Sequence, residues 1–240
     1  MRILAIDTST MVSTVAVMDE DKVLSEISMN CKKNHSEKII IYIDEAIKST
    51  EYTLRDMDLF TCSIGPGSFT GLRIAIATVK GLAQSLNKPV MGISSLEALA
   101  FNIPNNHQCI CPIIDAQRDE VYTAMYQWVR GELIPRTQER VVSIDALLHN
   151  IRETHKNVIF LGDGIYKIPE NLDVEMEKLI QVAPISHRML RASSIANLAR
   201  IKREKGMVQN YSELLPNYMR KSQAEVQLEL KQKNIGSSAK

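Results

Sequence analysis

The chain has 240 residues and carries 29 Lys and Arg against 28 Asp and Glu, with 45% apolar and 24% charged residues. These values are typical of a globular protein, and they exclude a disordered, collagen-like or disulfide-scaffold chain. The length suits two lobes of about 100 residues each. We expect the core to need no disulfide or metal, because a chain of this size buries roughly 70% of its unfolded surface.

The charge of the chain is distributed unevenly, although the total is only +1. Residues 188–240 hold 11 basic and four acidic residues, a net charge of +7, which leaves −6 for residues 1–187. A solvated amphipathic helix with a lysine-bearing tail explains this basic end, because charge runs are usually solvated surfaces. The alternative is a surface that meets an acidic partner protein or RNA phosphate. The candidates for RNA contact are Arg200, Lys202, Arg203 and Lys205.

No apolar run approaches the roughly 18 residues that cross a bilayer, and the opening MRILAID does not have the pattern of a secretory signal. We therefore expect a cytoplasmic protein without membrane contact. The four cysteines form no Cys-x-x-Cys pair and are expected to be reduced thiols. The five histidines show neither His-x-x-x-His nor His-Glu-x-x-His spacing, so no metal site is predicted.

The first half of the chain predicts an α/β lobe that starts with antiparallel strands. Short β-branched runs at 3–9 and 12–19 precede VLSEISM, which alternates apolar and polar residues with the period of a strand. Apolar spacing then predicts a helix capped by Ser36 or Asn34. The other predicted elements of this half are a strand at 59–64, a helix at about 68–86, a strand at 88–94 and a helix at about 95–102.

A turn-rich segment at 103–108 separates this half from a second one, which begins again with strands. The predicted elements of the second half are strands at 109–115, 120–128 and 158–164 and helices at about 143–153 and 192–205. Four regions result. They are an N-terminal lobe over 1–104, a C-terminal lobe over 105–191, a closing helix with an irregular segment over 192–222, and a polar tail over 223–240.

The stretch at 63–85 carries the strongest local signal in the sequence. A glycine-rich turn there reverses a strand abruptly into a helix capped by Ser68 or Thr70. A helix start of this kind can bind phosphate. The stretch lacks the Gly-Lys-Ser/Thr ending of a P-loop and the Gly-x-Gly-x-x-Gly spacing, so tight strand-to-helix geometry is the favoured interpretation. The residues of this structural turn are Gly65, Pro66 and Gly67.

The helix after this turn has a face of small residues, and the helix before the turn has an isoleucine-rich face. Small faces allow two backbones to approach closely. Internal packing on the sheet and a helix–helix contact with another subunit are both open from the residues alone. The residues are Gly71, Ala75 and Thr78 on the helix after the turn, and Ile39, Ile40, Ile43 and Ile47 on the helix before it.

Asp7 and Asp115 end the first predicted strands of the two halves, so they occupy matching places. Paired carboxylates across a cleft can organise a complex of a metal ion and a nucleotide. The structural alternative is that each carboxylate stabilises a turn by bonding to the backbone of the residues that follow it.

Six stretches of the sequence together resemble one bacterial family. They are LAIDTST, HSEKI, SIGPGSFTGLRIAIATVKGLA, GISSLEALA, IDAQRDEVYTAMY and LPNYMRK. The family that they resemble is that of the tRNA threonylcarbamoyladenosine biosynthesis proteins TsaB, which are non-catalytic paralogues of TsaD. The resemblance implies an α/β fold of the two-lobed, actin-like ATPase type, which sugar kinases and Hsp70 share.

Within that fold, the resemblance implies a degraded nucleotide site. The catalytic paralogue carries a metal-binding histidine pair where this chain reads GISSLEALA, and the phosphate hairpins lack their usual glycines. We therefore expect neither a metal nor a cofactor in the isolated chain, although nucleotide binding stays open. The residues that would belong to the degraded site are Asp7, Thr8, Thr10, Asp115, Arg118, Gly162 and Gly164.

The implied function is that of a scaffold or activating subunit with no activity on its own. The chain would dimerise with a catalytic TsaD-like paralogue and work with a small TsaE-like ATPase. Their complex would form N6-threonylcarbamoyladenosine beside the anticodon of tRNAs that read codons beginning with A.

The resemblance also implies how the chain meets its partners. Helices at 36–49 and 68–86 would form the dimer face, and a homodimer would form when the chain is alone. The tRNA would be reached indirectly or through the basic C-terminal region. The alternative function is an autonomous actin-fold ATPase or small-molecule kinase that uses Asp7 and Asp115.

Overall fold

A computed structural model describes residues 1–30, 38–104 and 107–220, which form two β-sheets with helices on their faces. The first sheet has the strand order β3-β2-β1-β4-β5. Its strands are β1 (Arg2–Asp7), β2 (Val12–Asp19), β3 (Lys22–Asn30), β4 (Leu59–Gly65) and β5 (Val90–Ser94). The first three strands are antiparallel, whereas β4 runs parallel to β1 and β5 parallel to β4. The predicted antiparallel start and the parallel strand after it are confirmed.

Two helices, α1 (Ile39–Lys48) and α2 (Phe69–Leu86), cover one face of this sheet. Alternate strand residues such as Leu4, Ile6 and Phe60 point to that side and form a core with the helices. Ser68 caps α2, because its Oγ accepts a hydrogen bond from the amide of Gly71 at 3.2 Å. The predicted caps Asn34 and Ser36 lie outside the described residues.

The second sheet has the strand order β10-β7-β6-β11-β12, and β8 pairs with both β6 and β9. Helices α4 (Ile144–Thr154) and α5 (Val174–Leu179) cover its outer face. The strands are β6 (Cys109–Asp115), β7 (Glu120–Thr123), β8 (Tyr126–Val129), β9 (Glu132–Pro135), β10 (Arg140–Ser143), β11 (Val158–Leu161) and β12 (Ile180–Val182).

Between the two sheets lie α3 (Ser95–Phe101) and α6 (Ala192–Glu204), which build a central core. This core combines residues of both sheets, such as Ile3 of β1 and Ile114 of β6, with Ile195 of α6. The predicted lobe boundaries at 104 and 191 stay predictions, and the polar tail lies outside the described residues. Among the described helices, none is long and apolar enough to span a bilayer.

The predicted strand at 120–128 is wrong in one respect, because the chain forms two strands, β7 and β8, with Ala124 and Met125 between them. β7 pairs with β10 while β8 pairs with β9, so the chain changes strand partner at this point. The Met125 amide accordingly donates to Thr137 Oγ1 at 2.9 Å. The short elements β9, β10, α5 and β12 were not predicted from the sequence.

Candidate functional site

Asp7 ends β1 at the edge of the first sheet that faces the second lobe, and its carboxyl group is completely buried. Oδ1 accepts hydrogen bonds from the Ser9 amide at 3.1 Å and from the Ser63 hydroxyl. Oδ2 has no hydrogen-bond partner among the described residues. Burial raises the pKa of Asp7 to about 7, and the nearby carboxyl of Asp163 adds a smaller rise. Burial therefore favours the protonated form of the Asp7 carboxyl.

Asp115 ends β6 and differs from Asp7, because its carboxylate is exposed and already paired. Its Oδ1 lies 2.6 Å from Lys167 Nζ and accepts the Gln117 amide at 2.6 Å. The Asp115 amide donates in turn to Asp163 Oδ1 at 2.9 Å. Asp163 thus lies between the two predicted aspartates, and burial raises the pKa of its carboxyl group.

The hairpin between β6 and β7 is held by internal bonds. Gln117 and Arg118 both adopt left-handed backbone conformations, with φ of 61° and 47°. Lys167 Nζ donates to Arg118 O at 3.4 Å and to Glu120 O at 3.0 Å, besides pairing with Asp115. The bond from the Gln117 amide to Asp115 is the Asx-type turn bond that was the structural alternative for this aspartate. Nothing in the sequence pattern pointed to Lys167.

The loop between β1 and β2 is packed tightly against the start of α2. Thr8 Oγ1 donates to Gly71 O at 2.7 Å, and the Ser68 amide donates to Ser9 O at 2.6 Å. A Cβ on Gly67 would lie 2.4 Å from Ser9 O, so only glycine permits this approach. Thr10 Oγ1 accepts the Val12 amide at 3.3 Å and closes the loop. The glycine-rich turn therefore serves the contact between α2 and this loop.

The small residues of α2 are only partly where the dimer-face prediction puts them. Gly71 and Ala75 are buried inside the lobe, whereas Thr78 is partly exposed, and the dimer face itself stays a prediction. Internal packing on the β1–β2 loop explains Gly71, and the core explains Ala75. On α1, the side chains of Ile39, Ile43 and Ile47 are buried in the same core, whereas those of Ile40 and its neighbour Ile41 are 59% and 53% exposed.

Gly162 and Gly164 pack against the backbone of β6. Gly162 has φ of 104°, and a Cβ on it would lie 2.2 Å from Ile113 O. A Cβ on Gly164 would lie 2.9 Å from the same oxygen. The two glycines flank Asp163, so they allow its carboxylate to reach the Asp115 amide.

A cleft of about 640 Å³, which none of these residues lines, was not predicted. Glu139 lines it and accepts hydrogen bonds from the Ser94 hydroxyl, from Tyr126 Oη at 3.5 Å and from Asn217 Nδ2 at 3.2 Å. Burial raises the pKa of Glu139. Two further polar side chains of the cleft also bond to each other, since Lys202 of α6 pairs with Glu97 of α3 at 2.6 Å.

The basic residues proposed for RNA contact are mostly engaged within the chain. Arg200 pairs with Glu204, Lys202 with Glu97, and Lys205 with Glu132. Arg203 has one buried guanidinium nitrogen without a partner among the described residues. Direct RNA contact through this helix stays a prediction.

Within the described ranges, no three His, Cys, Asp or Glu side chains are grouped so that they could hold a metal ion.

Comparison with known proteins identifies the family. A model of TsaD, tRNA N6-adenosine threonylcarbamoyltransferase, matches residues 22–228. The TsaB protein of Bacillus subtilis (strain 168), a tRNA threonylcarbamoyladenosine biosynthesis protein, is 32% identical over 225 residues, which are 94% of this chain and 96% of that protein. The chain belongs to the TsaB family. TsaB of Escherichia coli (strain K12) is 35% identical over 129 residues, which are 53% of this chain and 55% of that protein.

Solved structures agree with this TsaB assignment. A Pseudomonas aeruginosa protein described as similar to the peptidase YeaZ superposes with a TM-score of 0.76 at 26% identity, covering 91% of this chain and 99% of that one. The ROK hexokinase of Thermus thermophilus superposes with a TM-score of 0.52 at 10% identity, covering 85% of this chain and all of that one. The hexokinase likeness concerns the fold alone, and it confirms the predicted actin-like, two-lobed class.

Proposed function

We propose that this chain acts in tRNA threonylcarbamoyladenosine biosynthesis as a subunit that catalyses no transfer itself and supports a catalytic paralogue of the TsaD type. Membership in the TsaB family supports the pathway, since relatives that match 94% and 73% of the chain are named for it. The supporting role rests on the packing of the region where the fold would place a nucleotide. The observation that supports this role most strongly is the tight packing of the β1–β2 loop against α2.

This packing argues against a nucleotide complex in the isolated chain. A triphosphate in a two-lobed ATPase fold needs free backbone amides in the loops after β1 and β6 and carboxylates open to a cation. Here the Ser9 amide is bonded to Asp7 Oδ1 and the Gln117 amide to Asp115 Oδ1. The carboxyl of Asp7 is buried, and that of Asp115 is paired with Lys167. We therefore propose that the chain takes no nucleotide cofactor.

We further propose that the partner surface is the outer face of α1 and α2. Ile40 and Ile41 on α1 are large apolar side chains that remain exposed, which is unusual for side chains without a partner. On α2, Thr78 and Gly81 offer a neighbouring surface with little side-chain bulk. The TsaD-like paralogue would bind this surface, a second copy of the chain would bind it in the paralogue's absence, and a small TsaE-like ATPase would complete the assembly.

The test is reconstitution of tRNA modification from purified proteins. The TsaD-like paralogue and the small ATPase are given threonylcarbamoyl-adenylate and tRNA, with and without this chain. We expect product only in the full mixture, and no product from this chain alone. Product formed by this chain alone would contradict the supporting role, and equal product without it would contradict its participation.

Calorimetry of the isolated chain with ATP and Mg²⁺ tests the alternative function, which is that of an autonomous ATPase or kinase. We expect no heat of binding at micromolar to millimolar nucleotide. Binding that Asp7→Ala or Asp115→Ala weakens would instead establish the alternative.

A further inference from the structure

Residues 209–220 run from the first sheet to the second lobe, and we call this segment the strap. It begins on β5, where the Val90 amide donates to Gln209 O at 3.0 Å and the Gly92 amide donates to Gln209 Oε1 at 2.8 Å. Leu214 then enters the core beneath α2 and is 1% exposed. The start of the strap is thus fixed to the first lobe by backbone bonds and one apolar side chain.

The middle of the strap crosses the glycine-rich turn and the first turn of α2. The Asn217 amide donates to Ile64 O, at the end of β4, at 2.7 Å. The ring of Tyr218 stacks on Phe69 with 4.4 Å between the centroids, and Arg73 Nε donates to Tyr218 Oη at 2.9 Å. These contacts lie on the surface, since Tyr218 is 39% exposed.

The end of the strap is fixed to the other lobe. Arg220 donates to Ala116 O and pairs with Glu120, and both partners belong to the hairpin between β6 and β7. Twelve residues therefore connect β5 of the first sheet directly to the hairpin of the second.

Glu139 joins the strap to both lobes through one carboxylate. Its Oε2 accepts Asn217 Nδ2 of the strap at 3.2 Å. Its Oε1 accepts the hydroxyl of Ser94, at the end of β5, and Tyr126 Oη of β8 at 3.5 Å. Because Glu139 also lines the 640 Å³ cleft, the strap and the cleft share this residue.

We propose that the strap is a releasable clasp between the lobes, and that its undocking beyond Leu214 frees the carboxylate of Glu139, which lines the cleft. Within the strap, all of which the structure describes, Leu214 alone is fully buried, whereas Leu215 and Asn217 are exposed. Beyond Leu214, Met219 packs against the central core but is only partly buried, and the other contacts lie at the surface. Such a stretch opens at a lower free energy than the core itself. Its release uncovers Phe69 and Arg73 and frees Glu139 Oε2 towards the cleft. The proposal does not depend on the pathway assigned above.

Hydrogen exchange of the full chain tests the clasp. The double variant Asn217→Ala with Tyr218→Ala removes the middle contacts and keeps the Leu214 anchor. We expect at least about tenfold faster exchange at the amides of Asn217 and Ala116, with β1 and α6 unchanged. Leu215→Ala is the control, because this side chain is 64% exposed in the same segment. Unchanged exchange at the amide of position 217 would overturn the clasp, and equal acceleration throughout the core would overturn its independent release.

A second variant keeps the strap sequence intact. Glu139→Gln removes the charge that Ser94 and Asn217 share, and we expect faster exchange at Asn217 and in the hairpin at 116–120. Glu132→Gln is its control, since Glu132 pairs with Lys205 on the surface away from the strap. If both glutamate variants gave the same exchange as the unchanged chain, Glu139 would have no part in holding the strap and the proposal would fail.

Discussion

The backbone of Thr8 lies directly against Gly71, and a Cβ built on this glycine would be 1.8 Å from Thr8 O. Thr8 Oγ1 also donates to Gly71 O at 2.7 Å, so the loop after β1 and the first turn of α2 form one unit. An actin-like fold would offer the loop after β1 to a phosphate. Here that loop is a docking surface for the chain's own helix, and this contact supports the non-catalytic role that we propose more strongly than any missing motif.

Replacing Gly71 by Ala should destabilise the protein by about 3 kcal/mol, because the new methyl group meets backbone that has no room to move. Gly81 is a matched control on the same helix, with no heavy atom within 4 Å of its Cβ position. Gly81→Ala should stabilise the protein by about 1 kcal/mol through helix propensity. Urea denaturation of both variants measures the difference. If both variants changed the free energy of unfolding in the same direction, the backbone of Thr8 would not exclude a side chain at position 71.

The contact between Thr8 and Gly71 also illustrates what the sequence could and could not predict. The strands at 3–9, 12–19 and 59–64 and the helix at 68–86 were predicted correctly, because each has a clear apolar period and marked ends. The small face of α2 was ambiguous in the sequence, because a glycine that fits a neighbouring loop and one that fits a partner have the same spacing. Only the structure, which places the backbone of Thr8 against Gly71, distinguishes a glycine that fits a loop from one that fits a partner.

The candidate site was predictable only at the level of strand ends. Asp7 and Asp115 follow strands and could be placed at one edge of the sheets. Asp7 is distinguished by its burial, whereas Asp115 is paired with Lys167 and bonded through its amide to Asp163. Lys167 and Asp163 come from a short helical turn distant in sequence. Glu139 and its cleft depend on β9 and β10, strands of four residues that carry too little pattern to be recognised.

The buried carboxyl of Asp7 should make stability depend on pH. Its pKa is about 7 in the folded chain against 3.8 ordinarily. A pKa raised on folding contributes stability that is fully present below the unfolded value and is lost as the pH rises through the folded value. We expect Asp7 to remove about 3 kcal/mol of unfolding free energy between about pH 5 and about pH 8.5.

Asp7→Asn provides the comparison, since it keeps the shape and cannot ionise. The free energy of unfolding of the unchanged chain should fall relative to that of Asp7→Asn as the pH rises over this range. The measurement is urea denaturation at a series of pH values. Two parallel curves would show that Asp7 is not the group responsible.

Lys167 should stabilise the hairpin between β6 and β7. Lys167→Met removes an ion pair with Asp115 and two hydrogen bonds to carbonyl groups, so we expect a loss of about 1–2 kcal/mol. Lys48→Met is the control, because its pair with Asp44 is exposed on α1 and should contribute nothing measurable. Thermal unfolding of the two variants checks this. If both variants lowered stability equally, Lys167 would act through general surface charge and not through its bonds to the hairpin.

The outer face of α1 should determine association with partners. Ile40→Asp introduces a charge where an apolar side chain is 59% exposed, so folding should be unaffected while a packed interface would bury that charge. We expect at least about tenfold weaker binding to the TsaD-like paralogue and weaker self-association, measured by sedimentation and titration calorimetry. Ile185→Asp is the control, since Ile185 is 77% exposed outside α1 and α2. A substitution at Gly71 cannot serve here, because it would disturb the Thr8 contact inside the lobe. If Ile40→Asp bound as tightly as Ile185→Asp, the partner surface would have to lie elsewhere on the chain.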